Sequence, residues 1–302
     1  MKIAILLNLK NSQVKVYTEK IIKKLKSLNA QILMLSSYKN IFYNKNIIFC
    51  ENIDELMACC EIALTIGGDG TLIHVAKYAA HSGKPILGIN LGRVGFAASL
   101  EKDEIDKLSL LVEGNYVIEK RAMLSVEVQD KKSQKSFLAL NDAVISRCGI
   151  SKITDFFVFY EGKTFEYRAD GLIFATPTGS TAYSLSAGGP VIDPSMRCIL
   201  FTQICPYSLF SRSIIFSKSV QLEVKTRIES KNAPFQNENG NKESADNADE
   251  ANISLTIDGE IYHKLTKQQI VKIKLSKMKA NLICLCERNF CDTLEKKMIR
   301  KI

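Results

Sequence analysis

The chain has 302 residues, 46% apolar and 24% charged, the composition of a globular protein long enough for about two domains. Its formal charge of +9 lies mainly in basic runs at 20–26 and 264–301 that interleave with apolar positions, as solvated helix and strand faces do, and no nucleic-acid-reading module is visible. Nine cysteines without a CxxC pair, only three histidines, and no apolar stretch of membrane-spanning length argue against a disulfide scaffold, a structural zinc site and a membrane protein, so a reduced, cytoplasmic chain is expected.

The first hundred residues alternate two periods. Ile3-Ala4-Ile5-Leu6-Leu7 is a continuous apolar run, as in a parallel strand buried on both faces. Tyr17, Ile21, Leu25 and Leu28 follow at helical spacing, with lysines on the opposite face. Short strands are expected at 31–35 and 47–49, and Asn52 with Glu55 reads as a capping box opening a helix that runs to Cys60. A buried strand at 62–66 ends in Gly67-Gly68-Asp69-Gly70-Thr71; a helix over about 71–81 and a strand over 86–90 follow. Alternation of this kind predicts a parallel, doubly wound α/β sheet.

Beyond about residue 115 the period becomes two. Leu124, Val126 and Val128 alternate, strands are expected at 137–145 and 156–160, and 165–167 reads as the return arm of a hairpin. Further alternation occurs at 222–224, 253–257 and 271–275, and Asp258-Gly259 is a strong hairpin-turn dipeptide. The expected division is an α/β domain at 1–115, with 285–302 a candidate segment to complete it, and a mainly β domain at 116–284. Residues 229–252 are polar and nearly devoid of apolar side chains, and read as a surface loop.

Three segments carry chemistry. Gly67-Gly68-Asp69-Gly70-Thr71 joins the carboxyl end of a strand to a helix start, where glycines let the backbone approach phosphates. It lacks the Lys-Ser/Thr pair of a Walker loop. Asp69 beside phosphates suits a metal-bridged carboxylate or a proton acceptor, and equally a helix cap in a tight turn. Asn141-Asp142 interrupts an apolar strand pattern; an amide beside a carboxylate suits a ribose diol, and a turn or bulge gives the same signal. The stretch Arg168-Ala169-Asp170-Gly171-Leu172-Ile173-Phe174-Ala175-Thr176-Pro177-Thr178-Gly179-Ser180-Thr181-Ala182-Tyr183-Ser184-Leu185-Ser186-Ala187-Gly188-Gly189-Pro190 is rich in hydroxyls and small residues, which admit a flat base. A loop with an N-capped helix is the plainer reading.

In that order the three segments resemble ATP-NAD kinases. Gly88-Ile89-Asn90-Leu91-Gly92-Arg93-Val94-Gly95-Phe96, Arg121-Ala122-Met123-Leu124, Cys205-Pro206-Tyr207-Ser208-Leu209 and Ile257-Asp258-Gly259-Glu260 support the likeness. The resemblance implies a two-domain kinase that moves the terminal phosphoryl group of ATP, or of another donor, to the 2′-hydroxyl of the adenosine ribose of NAD. It further implies Mg²⁺ or another divalent cation, whose ligands the sequence does not name, and a homodimer or homotetramer. Asp69 matches the catalytic aspartate, Gly67, Gly68, Gly70 and Thr71 the phosphate turn, and Phe96 a residue of the adenine-side pocket. Asn141, Asp142, Thr181, Ala182, Tyr183 and Ser186 match NAD contacts. Arg168 and Asp170 match residues that reach the nicotinamide half across a subunit interface. The chain departs from the family's pattern with Asp142 where many relatives carry Glu, Tyr207 for His, Ser213 for Pro, and the 229–252 insertion. A lipid kinase shares the GGDGT turn but needs a greasy channel in the β half; an NAD sensor without activity would lack Asp69.

Overall fold

The computed structural model describes residues 1–9, 13–92, 95, 96, 98–130, 133–148, 153–226, 253–266, 269–285 and 290–295; the polar stretch 229–252 lies outside them. The elements in chain order are β1 (Lys2–Leu7), α1 (Gln13–Ser27), β2 (Gln31–Leu35), β3 (Ile47–Cys50), α2 (Ile53–Cys59), β4 (Ile62–Gly67), α3 (Asp69–His81), β5 (Pro85–Asn90), β6 (Leu100–Glu101) and α4 (Leu108–Glu113). Then follow β7 (Val117–Gln129), β8 (Gln134–Ala139), β9 (Asp142–Arg147), β10 (Thr154–Tyr160), β11 (Lys163–Ala169), β12 (Gly171–Ala175) and α5 (Tyr183–Ser186). The remainder are β13 (Cys198–Ile204), β14 (Ile214–Ser217), β15 (Gln221–Thr226), β16 (Ile253–Ile257), β17 (Glu260–Lys264), β18 (Ile270–Cys284) and α6 (Phe290–Leu294). Two compact units result: Met1–Met123 with Ile192–Met196 and Ser276–Ile302, and Leu124–Val191 with Arg197–Leu275.

In the first unit five parallel strands lie in the order β3-β2-β1-β4-β5. The carboxyl-terminal part of β18 adds in parallel beyond β5, pairing Asn281 with Pro85. Strand β4 is buried along its whole length, as its unbroken apolar run requires. Helix α1 turns Val14, Thr18, Ile21, Ile22 and Leu25 inward and its lysines outward. These side chains, with those of β1 to β5, form one apolar core. Asn52 caps α2 by accepting from Glu55 N–H at 2.9 Å, but the Glu55 carboxylate reaches back to Glu51 N–H at 2.8 Å, so the box closes one residue early. Helix α3 begins at Asp69, two residues ahead of the expected start, because Gly68 takes the N-cap place.

Sequence order reverses between β1 and β4, so their carboxyl ends flank a topological switch point, where open α/β sheets bind ligands. Gly67-Gly68-Asp69-Gly70 sits there.

The second unit is antiparallel. One sheet runs β14-β13-β12-β9-β16-β17; the other contains β11-β10-β15 beside the first part of β18, and the pair β7 and β8. Side chains from both sheets share a second apolar core that includes Leu124, Ile145, Phe156, Phe174 and Phe201. Both expected hairpin turns form, with positive φ at Glu161 and Gly162 and at Asp258 and Gly259.

The expected single strand at 137–145 is two strands. Strand β8 ends at Ala139 in register with Leu124, whereas β9 starts at Asp142 opposite Ala175. The chain changes sheets at Leu140-Asn141. An unbroken apolar pattern hides this, because both sheets face one core and the side-chain alternation survives the crossing.

Candidate active site

Asp69 is the first residue of α3, yet its carboxylate does not cap that helix. Its Oδ2 accepts from Phe96 N–H at 2.6 Å and its Oδ1 from Ala98 N–H at 3.2 Å. The loop after β5 thereby fixes the plane of the carboxylate. Gly95 is what allows the approach: a Cβ there would collide with both Asp69 oxygens. Tight packing continues beneath, where a Cβ on Gly88 would meet Leu72 at 2.7 Å and the Ala98 backbone at 3.0 Å.

Within the same turn, Gly67 must lack a side chain because a Cβ would strike Thr71 Oγ1, while Gly68 and Gly70 face open space. The Thr71 hydroxyl is buried and takes no hydrogen bond among the described residues. Thr71 N–H donates to Gly68 O at 3.0 Å, and Leu91 N–H to Gly67 O at 2.7 Å. The positive end of the α3 dipole therefore opens at a turn without Cβ atoms on Gly68 or Gly70, a suitable seat for phosphate.

Phe96 is partly buried and borders a cavity of about 360 Å³ within the first unit, lined also by Ser99, Arg121, Asp193, Cys284 and Phe290. Arg121 pairs with Glu119 there. Burial, reinforced by Glu119, pushes the Cys284 thiol up to about 11, so it stays protonated and a poor nucleophile. The described cysteines are all free, and no group of three or more His, Cys, Asp or Glu among the described residues could hold a metal ion.

In the second unit, Asn141 and Asp142 stand at the sheet crossing. Asp258 Oδ2 accepts from Leu140 N–H at 2.8 Å; its Oδ1 accepts from Asn141 N–H at 2.7 Å and from Asp142 N–H at 3.0 Å. On the other side, Thr176 N–H donates to Asn141 O at 2.8 Å and Thr176 Oγ1 to Leu140 O at 2.6 Å. A Cβ on Gly179 would run into the Asn141 carbonyl, so the hydroxyl-rich stretch lies directly against the pair.

The residues of that stretch differ in exposure, and the Thr178 hydroxyl is buried without a hydrogen bond among the described residues. Thr176, Ser180 and Ser184 are buried and engaged by the fold: Ser180 Oγ donates to Pro177 O at 2.7 Å, and Ser184 Oγ meets Thr202 Oγ1 at 2.8 Å. Thr181 and Ala182 are partly exposed, and Tyr183 and Ser186 exposed. The short helix α5 thus offers solvent the residues matched to NAD contacts.

Arg168 and Asp170 lie in different pairs. The Arg168 guanidinium stacks over Tyr207 at 5.7 Å and approaches Asp155 at 3.7 Å, beside a cavity of about 710 Å³. Asp170 accepts from Arg147 Nε at 2.8 Å. Gly95 and Asp258 stand in segments that support the family likeness, but no role was read for either, since a glycine in a loop and an Asp-Gly turn have common structural uses.

Asp142 is only 5% exposed, and burial, with the neighbouring Asp258 second, raises its carboxyl to about 7. An unfolded Asp titrates near 4, so between about pH 4 and about pH 7 the folded chain holds a proton the unfolded chain has released. Stability from this group falls as pH rises through that window.

Comparisons with known proteins agree with this layout. The family model described as ATP-NAD kinase N-terminal domain matches residues 3–116, and that described as ATP-NAD kinase C-terminal domain matches 140–250. A protein of Carboxydothermus hydrogenoformans named NAD kinase is 36% identical over 257 residues, 83% of this chain and 84% of the relative. One of Caldanaerobacter subterraneus with the same name is 36% identical over 253 residues, 82% of each. Among solved structures, yeast NADH kinase complexed with NADH superposes with a TM-score of 0.85 at 21% identity, covering 98% of this chain and 86% of that one. An NAD kinase from Archaeoglobus fulgidus in complex with ATP gives 0.71 at 21% identity, covering 98% and 99%. At that identity the two structures speak for the fold alone.

Two outcomes are expected. Gly95→Ala displaces a side-chain end rather than backbone, so it should fold with a melting temperature near wild type while turnover drops by about a hundredfold or more, measured by product formation and thermal melts. Asp142→Asn should be more stable than wild type at about pH 8 and converge on it towards about pH 4, the full difference being on the order of 4 kcal/mol at most. A urea titration at both pH values measures it.

Proposed function

The chain belongs to the ATP-NAD kinase family, and on that premise we propose that it transfers the terminal phosphoryl group of ATP to the 2′-hydroxyl of the adenosine ribose of NAD, giving NADP. The observation that carries the proposal is the seating of Asp69. A carboxylate at the carboxyl end of β4, held in plane by two amides and beside a glycine turn, suits a group that takes a proton next to a phosphate.

In this reading Asp69 accepts the proton of the 2′-hydroxyl as its oxygen bonds to the γ-phosphorus and the bond to the β-phosphate oxygen breaks, releasing ADP. Phosphoryl transfer of this kind passes through a loose transition state, so positioning and charge neutralisation account for most of the acceleration. Gly67, Gly68, Gly70 and Thr71 form the phosphate seat, and the α3 dipole favours the charge there. Asn141 and Asp142 hold the adenosine ribose, Thr181, Ala182, Tyr183 and Ser186 the rest of the adenosine, and Phe96 the adenine side. Mg²⁺ or another divalent cation, bound together with the donor, would neutralise charge on its phosphates. Family membership removes the lipid-kinase alternative.

We further assign a homodimer or homotetramer. Leu209 and Phe210 are 90% and 89% exposed, and Tyr207 and Ile215 lie exposed near them in the sequence. Arg168 and Asp170 then serve the nicotinamide half from a neighbouring copy. No helix among the described residues is long and apolar enough to cross a membrane, and the free thiols suit the cytoplasm in which we place the enzyme.

Incubation of purified protein with ATP, Mg²⁺ and NAD should yield NADP, read with an NADP-specific dehydrogenase. Asp69→Asn should lose about a thousandfold or more in turnover, roughly 4 kcal/mol of barrier, while still binding NAD; near-normal turnover removes Asp69 from the chemistry. Phe210→Asp should reduce the mass seen by sedimentation velocity, and an unchanged mass removes this face from the subunit contact.

A further inference from the structure

We propose that Asp258 is a positioning residue of the NAD-holding segment: its carboxylate, bound by three successive amides, fixes the main chain from which Asn141 and Asp142 project. The inference rests on the reading of that pair as the hold on the ribose, and it names the residue that shapes it.

The geometry follows from the change of sheet. Strand β8 ends at Ala139 and β9 begins at Asp142, so the intervening backbone has left one ladder without entering the other. Amides at such a crossing need an acceptor from elsewhere. Asp258 meets Leu140 with one oxygen and Asn141 and Asp142 with the other, at 2.7–3.0 Å. Its own N–H returns to Asp142 O at 2.9 Å, closing a reciprocal link between the β16–β17 turn and the crossing.

The turn alone does not demand this residue. With φ of 51° at Asp258 and 83° at Gly259, the two central positions are left-handed, and Asn-Gly fills such turns as readily as Asp-Gly. An Asn side chain, however, carries one acceptor oxygen and would turn its NH₂ toward an amide that needs an acceptor. Asp258→Asn therefore keeps the turn and breaks the clamp.

The same carboxylate bears on Asp142. Strand β12 places Ala175 opposite it and the following turn brings the neutral Thr176, whose hydroxyl donates to Leu140; the charged group acting on Asp142 is Asp258. Burial first, and this charge second, delay ionisation of Asp142 until about pH 7. An ionised carboxylate accepts from both ribose hydroxyls, so NAD should bind more tightly as pH rises through neutrality.

The test uses the full chain and the dissociation constant for NAD, measured calorimetrically from about pH 5.5 to about pH 8.5 in wild type, Asp258→Asn and Asp142→Asn. Wild type should tighten by about tenfold across the range, and Asp142→Asn should bind weakly with a flat profile. Asp258→Asn should bind about tenfold more weakly at the alkaline end, with its pH midpoint moved acid, and raise KM for NAD more than it lowers kcat. Wild-type affinity and an unmoved midpoint in Asp258→Asn, with Asp142→Asn impaired, would overturn the proposal. Wild-type affinity in Asp142→Asn instead overturns the underlying reading of the pair. Should Asp258→Asn fail to fold, Asp258→Glu keeps the charge and shifts the oxygens: weaker NAD binding supports the clamp, and wild-type binding overturns it.

Discussion

Three neighbouring amides cannot be left without acceptors where a chain passes from one sheet to another. In this protein the carboxylate of Asp258, more than a hundred residues away in sequence, meets all three. The hydroxyl-rich stretch packs against the same crossing through Thr176 and Gly179, and Asp142 is buried beside it. Burial in turn leaves Asp142 with a carboxyl that ionises near neutrality, so the second unit holds a charge-reluctant acid at the proposed ribose grip.

The first unit solves a related problem by different means. On the proposed reading Asp69 stands beside phosphates, which repel it, and the amides of Phe96 and Ala98 hold its carboxylate in place. Main-chain amides fix the direction in which a carboxylate presents its oxygens. The close approach depends on a missing methyl group at Gly95. Both proposed working acids are therefore tied by main chain, whose position depends less on side-chain rotamers than an ion pair would.

Much of this was legible in the residues. The continuous apolar runs at β1 and β4 and the helical spacing of α1 gave the parallel half, and alternation, with the return arm at 165–167 and the Asp258-Gly259 dipeptide, gave the hairpins of the other. Asp69 announced itself at the end of a strand, and Asn141-Asp142 as a polar break within an apolar strand pattern. The seats of these residues did not. Gly95 and Asp258 act through backbone groups distant in sequence, and a main-chain amide leaves no mark in a list of side chains. The sheet change at Leu140 was hidden for a similar reason, since alternation is indifferent to which ladder carries it.

Strand β18 begins in the second unit and finishes in the first, where Asn281 and Leu282 line the edge of β5. A polypeptide leaving the ribosome has β1 to β5 in hand long before that strand exists. Until residue 282 emerges, β5 lacks its partner on that side apart from the two-residue β6, so the first unit cannot mature in the order in which it is synthesised. The second unit receives all its strands earlier, apart from the opening residues of β18. A ribosome stalled ahead of β18 would therefore carry an open strand edge exposed to its neighbours.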